Sequence, residues 1–380
     1  MALKIEYLGE AYKNSGYGDA TRRNIVLLKR AGFDVSVTQI DSDDAKLADD
    51  WKYQECKRLK NKFNNPDIRI SHILACAMDK VHRPGVKNIC YTTWETDLLP
   101  TDWVAKINKY SDECWVTAHR IKKIFEESGI KVPVKVLPPT LFPEDIDAVE
   151  KPIDSEHLDP IINNLRPKNF CFYSIFQWIP RKNPDALLEA YVSEFDASEP
   201  VTLLLKAYRV DHSPAETKAM IQLINNLTIE MGCGRELLPD ILLIHEALSN
   251  ESMRAVHKMG DCFVLPHRGE GTGLPIVDAI MFNNPIITTA YGGPEDFLTD
   301  YNKSKLSYQM RPVRNAIWAY NYFNCYMNWA DVSIKDLRRR MREAFEEGEP
   351  SQFVCSQRKK LLNAYGYDST LKTVKENLGR

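Results

Sequence analysis

The chain lacks any stretch approaching the roughly 18 uninterrupted apolar residues that a bilayer-spanning helix needs, so no membrane span is expected within its 380 residues. Its opening residues, MALKIEYLGE, lack the basic, apolar and small-residue order of a secretory leader, and a cytoplasmic location is the expectation. The nine cysteines (56, 76, 90, 114, 171, 233, 262, 325 and 355) include no C-x-x-C pair, and the eight histidines include no H-x-x-x-H or H-E-x-x-H. Metal-ligand spacing is therefore absent and no metal is assigned. Cys90 in NICYTTW and Cys262 in DCFVLP stand in apolar runs and read as small buried hydrophobes of a reducing compartment. Neither a P-loop nor a G-x-S-x-G turn is present. Charge of one sign is lacking too. There are 50 Lys and Arg against 52 Asp and Glu, a net charge of −2, which argues against a global attraction to nucleic acid or anionic lipid.

What the chain does have is length, an apolar fraction of 44%, and a regular rhythm. The length points to two domains. Short β-rich runs (LKIEYL, FDVSVTQI, IRISHI, NICYTTW, ECWVTA, VKVLP) alternate with amphipathic stretches such as DATRRNIVLLKRAG and AHRIKKIFEESG. This is the βαβ pattern of a mainly parallel sheet covered on both faces. The rhythm breaks over residues 138–168, which hold six prolines, many acids and no sustained apolar period; a linker with one short helix is expected. It resumes with FCFYSIF, VTLLLKAY, ILLIHEAL, DCFVLP and PIITTA, then turns helical from about 333. The fold class is α/β, with two Rossmann-like units. Open sheets of this kind bind ligands at the carboxyl ends of their strands, and two of them facing each other would make a cleft.

The most informative segment is DCFVLPHRGEGTGLPIVDAIMFNNPIITTAYGGPEDFL, residues 261–298. An apolar strand runs into a glycine-rich turn that opens a helix. Backbone N–H groups at such a turn point at an anion, and the helix dipole adds to the attraction. Gly271 and Gly273 let phosphate oxygens approach the backbone closely. Glu270 precedes the helix and Asp278 lies one to two turns inside it. Carboxylates at these two places suit paired hydroxyls on either side of a diphosphate.

The run from Glu270 through Gly271, Thr272, Gly273 and Leu274 to Asp278 resembles the E-x7-E motif of retaining glycosyltransferases with the GT-B fold, especially glycosyltransferase family four. The resemblance implies that Glu270 binds donor-sugar hydroxyls and that Asp278, one methylene shorter than the family's glutamate, binds the ribose. It extends to FCFYSIFQWIPRKNPDALLEAY, where the family grips the donor diphosphate with a basic pair, here Arg181 and Lys182. The family's arginine directly after that strand is missing, since Phe176 and Gln177 stand there; Arg181 or Lys206 is its substitute. A cation at this place offsets charge on the departing nucleotide. In NSGYGDATRRN, Gly16 and Gly18 match the family's first glycine loop, near the donor phosphates and the acceptor. In NICYTTWETDLLP, Glu95 stands where an acceptor-side polar residue is expected, with Asp97 as its competitor. ILLIHEAL resembles the segment whose backbone, here from His245 to Leu248, flanks the nucleobase.

The resemblance implies an acceptor-binding domain over 1–142, a linker over 143–167, a nucleotide-sugar-binding domain over 168–350, and helices over 351–380 returning to the first domain. The expected activity is transfer of a hexose from a UDP- or GDP-sugar to an acceptor hydroxyl, with retention and no metal. Glu270, Glu95 and Lys182 are the expected catalytic residues. No cofactor is expected beyond the nucleotide sugar, and no D-x-D spacing of the kind by which metal-dependent GT-A enzymes hold their cation is expected. Residues 51–90 carry nine Lys and Arg against three Asp and Glu. Such a face suits an anionic acceptor: a phosphate-bearing glycan or glycolipid, or DNA with hydroxymethylated bases. A solvated helix face is the plainer reading of the same charges. A non-catalytic nucleotide-sugar-binding protein on the same fold is the alternative of a different class.

Overall fold

The computed structural model describes residues 3–299, apart from 41, 43, 45–46 and 233–236, and residues 305–379, apart from 315–321 and 348–350. Cys233 lies outside the described residues. The chain divides into two compact units: Met1–Ala148 with Asn321–Met327 and Leu361–Arg380, and Val149–Tyr320 with Asn328–Lys360.

The first unit is built on a six-stranded sheet of β1 (Lys4–Gly9), β2 (Asp34–Gln39), β3 (Ile68–His72), β4 (Lys87–Thr92), β5 (Glu113–Val116) and β6 (Val134–Val136), in the order β2-β1-β3-β4-β5-β6. Every pairing is parallel. Parallel neighbours need crossovers that cover the faces, so the strands are buried on both sides and read as nearly continuous apolar runs. The first crossover helix, Gly16–Arg30, starts where Ser15 turns extended and accepts a hydrogen bond from the Gly18 amide at 3.0 Å. It buries Ile25, Val26, Leu27 and Leu28 against Ile5, Tyr7, Val35 and Ile70, and Val374 of the helix Tyr367–Asn377 completes this core. The same first helix carries charge inward. Arg23 reaches Asp19 at 2.6 Å and Asp145 at 2.8 Å, Lys52 reaches Asp145 at 2.8 Å, and Arg22 reaches Asp50 at 3.1 Å. Pairing of this kind is what lets charged side chains sit inside a fold.

The second unit holds β7 (Phe170–Gln177), β8 (Val201–Tyr208), β9 (Asp240–Ile244), β10 (Cys262–Leu265), β11 (Ile286–Thr289) and β12 (Lys305–Leu306), all parallel, in the order β12-β11-β10-β7-β8-β9. Phe172, Leu203, Leu205, Phe263 and Val264 are fully buried in it. An antiparallel ribbon, β13 (Tyr308–Pro312) with β14 (Asn328–Val332), follows; the sequence reading did not find it.

Two boundaries differ from expectation. Residues 143–167 are more structured than a linker with one helix: Pro143–Glu150 and Pro160–Asn164 are both helical, each opened by a proline whose fixed φ suits a first helical turn. The units divide at Ala148 and again within the helix Ser351–Tyr365, so residues 351–360 go with the second unit.

Both sheets reverse strand order once, between β1 and β3 in the first and between β10 and β7 in the second. Loops leaving neighbouring strands in opposite directions open a crevice there, at the strands' carboxyl ends.

Candidate functional site

At the reversal in the second sheet, the turn after β7 and the loop after β10 are held together. Pro180–Lys182 forms a single 3-10 turn, closed by Asn183 in the left-handed region (φ 59°), a conformation asparagine tolerates. Pro184 then opens the helix Pro184–Glu194. Across from it, Gly273 (φ 78°) caps the helix Leu274–Met281, and Pro275 lies in its first turn. Arg268 ties the two segments: its amide donates to the Arg181 carbonyl at 2.7 Å, its Nη1 to the Pro180 carbonyl at 2.7 Å, and its Nε pairs with Asp331 at 2.9 Å. A third strip, Gly292-Gly293, lies against the loop, with the Gly293 amide donating to the Glu270 carbonyl at 2.8 Å. A Cβ on Gly293 would sit 2.7 Å from Thr272 Cα and nearer still to the Gly271 carbonyl oxygen.

These segments bring Arg181, Lys182 and Glu270 to one point. Lys182 Nζ bonds Glu270 Oε1, and Arg181 Nη1 lies 3.4 Å from the same oxygen and 2.6 Å from the Gly269 carbonyl. Glu270 is 5% exposed and Lys182 9%. Burial pushes the Glu270 carboxyl up, but the charges of Lys182 and Arg181 outweigh it and bring it down to about 2. The stabilisation from this charged acid is therefore present above the ordinary carboxyl value of 4.5 and is lost as pH falls toward 2. Around the acid, the amides of Thr272, Gly273 and Leu274 have no acceptor among the described residues. These are the orphan donors of a helix start, directed at whatever anion occupies it.

His267 was not singled out from the sequence. It is fully buried, and among the described residues only the Thr289 backbone bears on its ring, with no well-formed hydrogen bond to either nitrogen. Burial lowers its imidazole to about 3 despite the opposing charge of Glu270, so a neutral ring backs the ion pair. Arg268 and the Gly292-Gly293 strip were missed as well. The two glycines stand together in the sequence as a visible signal, but the segment they press on, residues 270–272, lies some twenty positions earlier.

Lys206 and His245 form a second group, at the ends of β8 and β9. Lys206 is 7% exposed and has no ion-pair partner among the described residues. Burial pushes its ammonium down to about 8, with Glu246 pulling the other way. His245 Nδ1 is 2.8 Å from Thr217 Oγ1, and its carbonyl lies 2.5 Å from His212 Nδ1. That backbone oxygen, expected to flank a base, is thus already engaged. Leu248 is buried nearby in sequence. Asp278 is half-buried in the second turn of its helix.

In the first unit, Gly16 and Gly18 lie in the first turn of the helix Gly16–Arg30. A Cβ on Gly18 would meet the carbonyl oxygens of Lys13 and Glu10, so packing alone accounts for that glycine. Glu95 and Asp97 are half-buried after β4. The basic excess of residues 51–90 does not form a free face. Acids from elsewhere take up its cations: Asp145 holds Lys52, Asp34 holds Lys62, Glu6 holds Arg69 and Arg83, and Glu113 holds Lys87. A D-x-D triplet does occur at Asp145-Ile146-Asp147, where Asp145 is committed to Arg23 and Lys52. In a second triplet, residues 41–43, both aspartates lie outside the described residues. Among the described residues no three His, Cys, Asp or Glu side chains group as metal ligands, and no helix is long and apolar enough to cross a membrane.

Residues 234–309, which contain this glycine loop and the helix it opens, match the family model of glycosyl transferases, group 1. Over that segment the chain is similar to the group 1 glycosyl transferases. It is 23% identical over 163 residues to a sucrose synthase of Denitrovibrio acetiphilus, covering 42% of this chain and 21% of that protein; the match thus spans about a fifth of that relative's length. Among solved structures, sucrose-phosphate synthase from Thermosynechococcus elongatus superposes with a TM-score of 0.68 at 11% identity, over 99% of this chain and 98% of that one. Anabaena HepE, solved in complex with UDP-glucose, gives 0.65 at 12% identity over 99% of each chain. The segment similar to group 1 glycosyl transferases therefore sits in a chain with the two-sheet α/β GT-B fold.

Proposed function

We propose that the chain is a glycosyltransferase that moves a hexose from a UDP-sugar to an acceptor hydroxyl, with retention and without a metal. The observation that carries this reading is the meeting of Arg181, Lys182 and Glu270 with the unpartnered amides of residues 272–274 at a strand-order reversal. That is a site for a diphosphate with a polyol attached. In this reading Lys182 and Arg181 take the diphosphate, Glu270 accepts from sugar hydroxyls, and the amides of the loop cradle a phosphate. Asp278 takes the ribose, and the segment from His245 to Leu248 takes the base. Glu95 serves the acceptor side, and the Gly16–Gly18 turn lies with the donor. Bond breaking leaves negative charge on the diphosphate, and fixed cations in a water-poor site stabilise that charge strongly. The UDP-glucose held by Anabaena HepE supports the choice of uridine.

Thermal-shift measurements with UDP-, GDP-, ADP- and dTDP-glucose test the reading through ligand stabilisation. The UDP-sugar is expected to raise the melting temperature most, with turnover insensitive to chelator; no shift with any of the four would contradict it. A pH dependence follows from Lys206. Its charge attracts an anionic donor and is lost as pH rises through about 8. UDP affinity is therefore expected to be full below pH 8 and to weaken above it, by no more than about tenfold per pH unit for one group. In Lys206→Met this slope disappears. An unchanged slope in calorimetric titrations would remove Lys206 from the donor site.

A further inference from the structure

The two six-stranded sheets have four outer strands, and three of them are guarded. Beside β2, the Val37 amide donates to the Leu59 carbonyl at 2.8 Å and the Asn61 amide to the Val37 carbonyl at 3.0 Å. β6 is three residues long, and Asn377 donates to its Val136 carbonyl at 3.0 Å. β12 is two residues long. β9 is different. On the side away from β8, no backbone group from Ile241 to Ile244 has a partner among the described residues. A bare row of N–H and C=O groups is a template for another strand, and folded proteins block it with charge, proline or a bulge. The four residues Ile241, Leu242, Leu243 and Ile244 carry no such block.

The face of this edge is unfinished as well. The helix Pro214–Glu230, which connects β8 to β9, leaves a hollow of about 220 Å³ beside the strand. Ile221, Ile224 and Thr228 of the helix line it together with Leu238, Ile241 and Leu243. The Thr228 hydroxyl already donates to the Asn225 carbonyl at 2.9 Å, so the lining is chiefly apolar. Ile221 is 49% exposed, and Ile229 and Leu237, each next in sequence to a lining residue, are 53 and 68% exposed. Apolar surface gathered in this way marks an association site.

The register of the strand selects the occupant. Ile241 and Leu243 lie on one face of β9, the face of the hollow. When a second β9 is set antiparallel about a two-fold axis at Leu242, Ile241 of each copy stands directly opposite Leu243 of the other, on the same face. The two hollows then meet over a continuous sheet and cover each other. A lone peptide strand would satisfy the backbone but leave the hollow open on its far side, whereas a second copy brings its own helix to close it. A net charge of −2 leaves little repulsion between the copies. We propose that the chain forms a two-fold dimer in which β9 pairs antiparallel with β9 of a second copy and the two hollows close into one apolar core. The dimer does not depend on the transferase reading.

Sedimentation velocity of the full chain across micromolar concentrations is expected to show a monomer–dimer equilibrium. Ile221→Lys places a cation in the shared core from an exposed helix position. It is expected to raise the dissociation constant at least about tenfold with the circular dichroism of the chain unchanged. Register is tested separately with Leu242→Cys in a chain carrying Cys325→Ser and Cys355→Ser, which removes the exposed native thiols. Directly opposed Cα atoms lie about 4.5–5.5 Å apart, within disulfide reach, so mild oxidation is expected to link the copies. Asp240→Cys is the control: its two copies stand about 13 Å apart in this register and are expected to stay unlinked. A chain that remains monomeric throughout, the result expected if the edge serves a peptide of another protein, overturns the proposal. So does a dimer that Ile221→Lys leaves intact, and so does failure of Leu242→Cys to link.

Discussion

Lys182→Ala is expected to cut sugar transfer from the nucleotide donor by about 100- to 1000-fold, the scale on which a fixed charge-stabilising group acts in a water-poor site. Most of the stabilisation that UDP gives the wild type is expected to go with it. The variant removes the cation bonded to Glu270 and leaves Arg181, at 3.4 Å, as the nearest charge on a carboxylate that is almost wholly buried. Breaking a buried pair from one side is costly, about 3 kcal/mol, because the remaining charge keeps its desolvation penalty. A loss of activity alone would therefore be ambiguous. The double variant Lys182→Ala with Glu270→Ala resolves it. Removing both charges is expected to return much of the stability while leaving transfer as low as in either single variant. Denaturant titration and initial rates on the four proteins of this cycle measure the coupling directly. If the double variant regains activity with stability, the pair is structural.

Gly293→Ala has the second largest expected effect, for a reason of space. The new methyl group would sit 2.7 Å from Thr272 Cα and closer still to the Gly271 carbonyl oxygen. Both obstacles are backbone, so neither can rotate away. Either the Gly292-Gly293 strip or the glycine loop must move, at a cost of about 2–3 kcal/mol. The Gly293 amide bond to the Glu270 carbonyl, 2.8 Å in the native chain, is expected to be lost with it, and UDP binding should fall sharply. Gly85→Ala is the matched control. It has φ +80° with nothing within 4 Å of the added carbon, so it should cost only about 1 kcal/mol of backbone strain and leave nucleotide binding unchanged.

All the strands of both sheets except β12 were legible in the sequence because parallel strands buried on two faces must be largely apolar, and runs such as VTLLLKAY and FCFYSIF have few other uses; β12 is only two residues long. β13 and β14 were not: all five residues of β13 are exposed, and β14 buries Trp329, Ala330 and Val332 without the long apolar run that marks a parallel strand. The glycine loop was legible because backbone approach requires particular residues at fixed spacing. What could not be read was contact between distant segments. Nothing in residues 51–90 reveals that Glu6, Asp34, Glu113 and Asp145 will offset their charge. Nor does the sequence show that Lys182 and Glu270, 88 positions apart, share a hydrogen bond. His267 escaped notice for a related reason. A single histidine at a strand end gains meaning only from what its two nitrogens touch or fail to touch.

A crystal structure with UDP bound is the most direct measurement. The diphosphate is expected against Lys182 Nζ, Arg181 and the amides of residues 272–274, with Lys182 drawn from Glu270 toward phosphate. A nucleotide seated away from the ends of β7 and β10, with the Lys182–Glu270 pair undisturbed, would contradict the account.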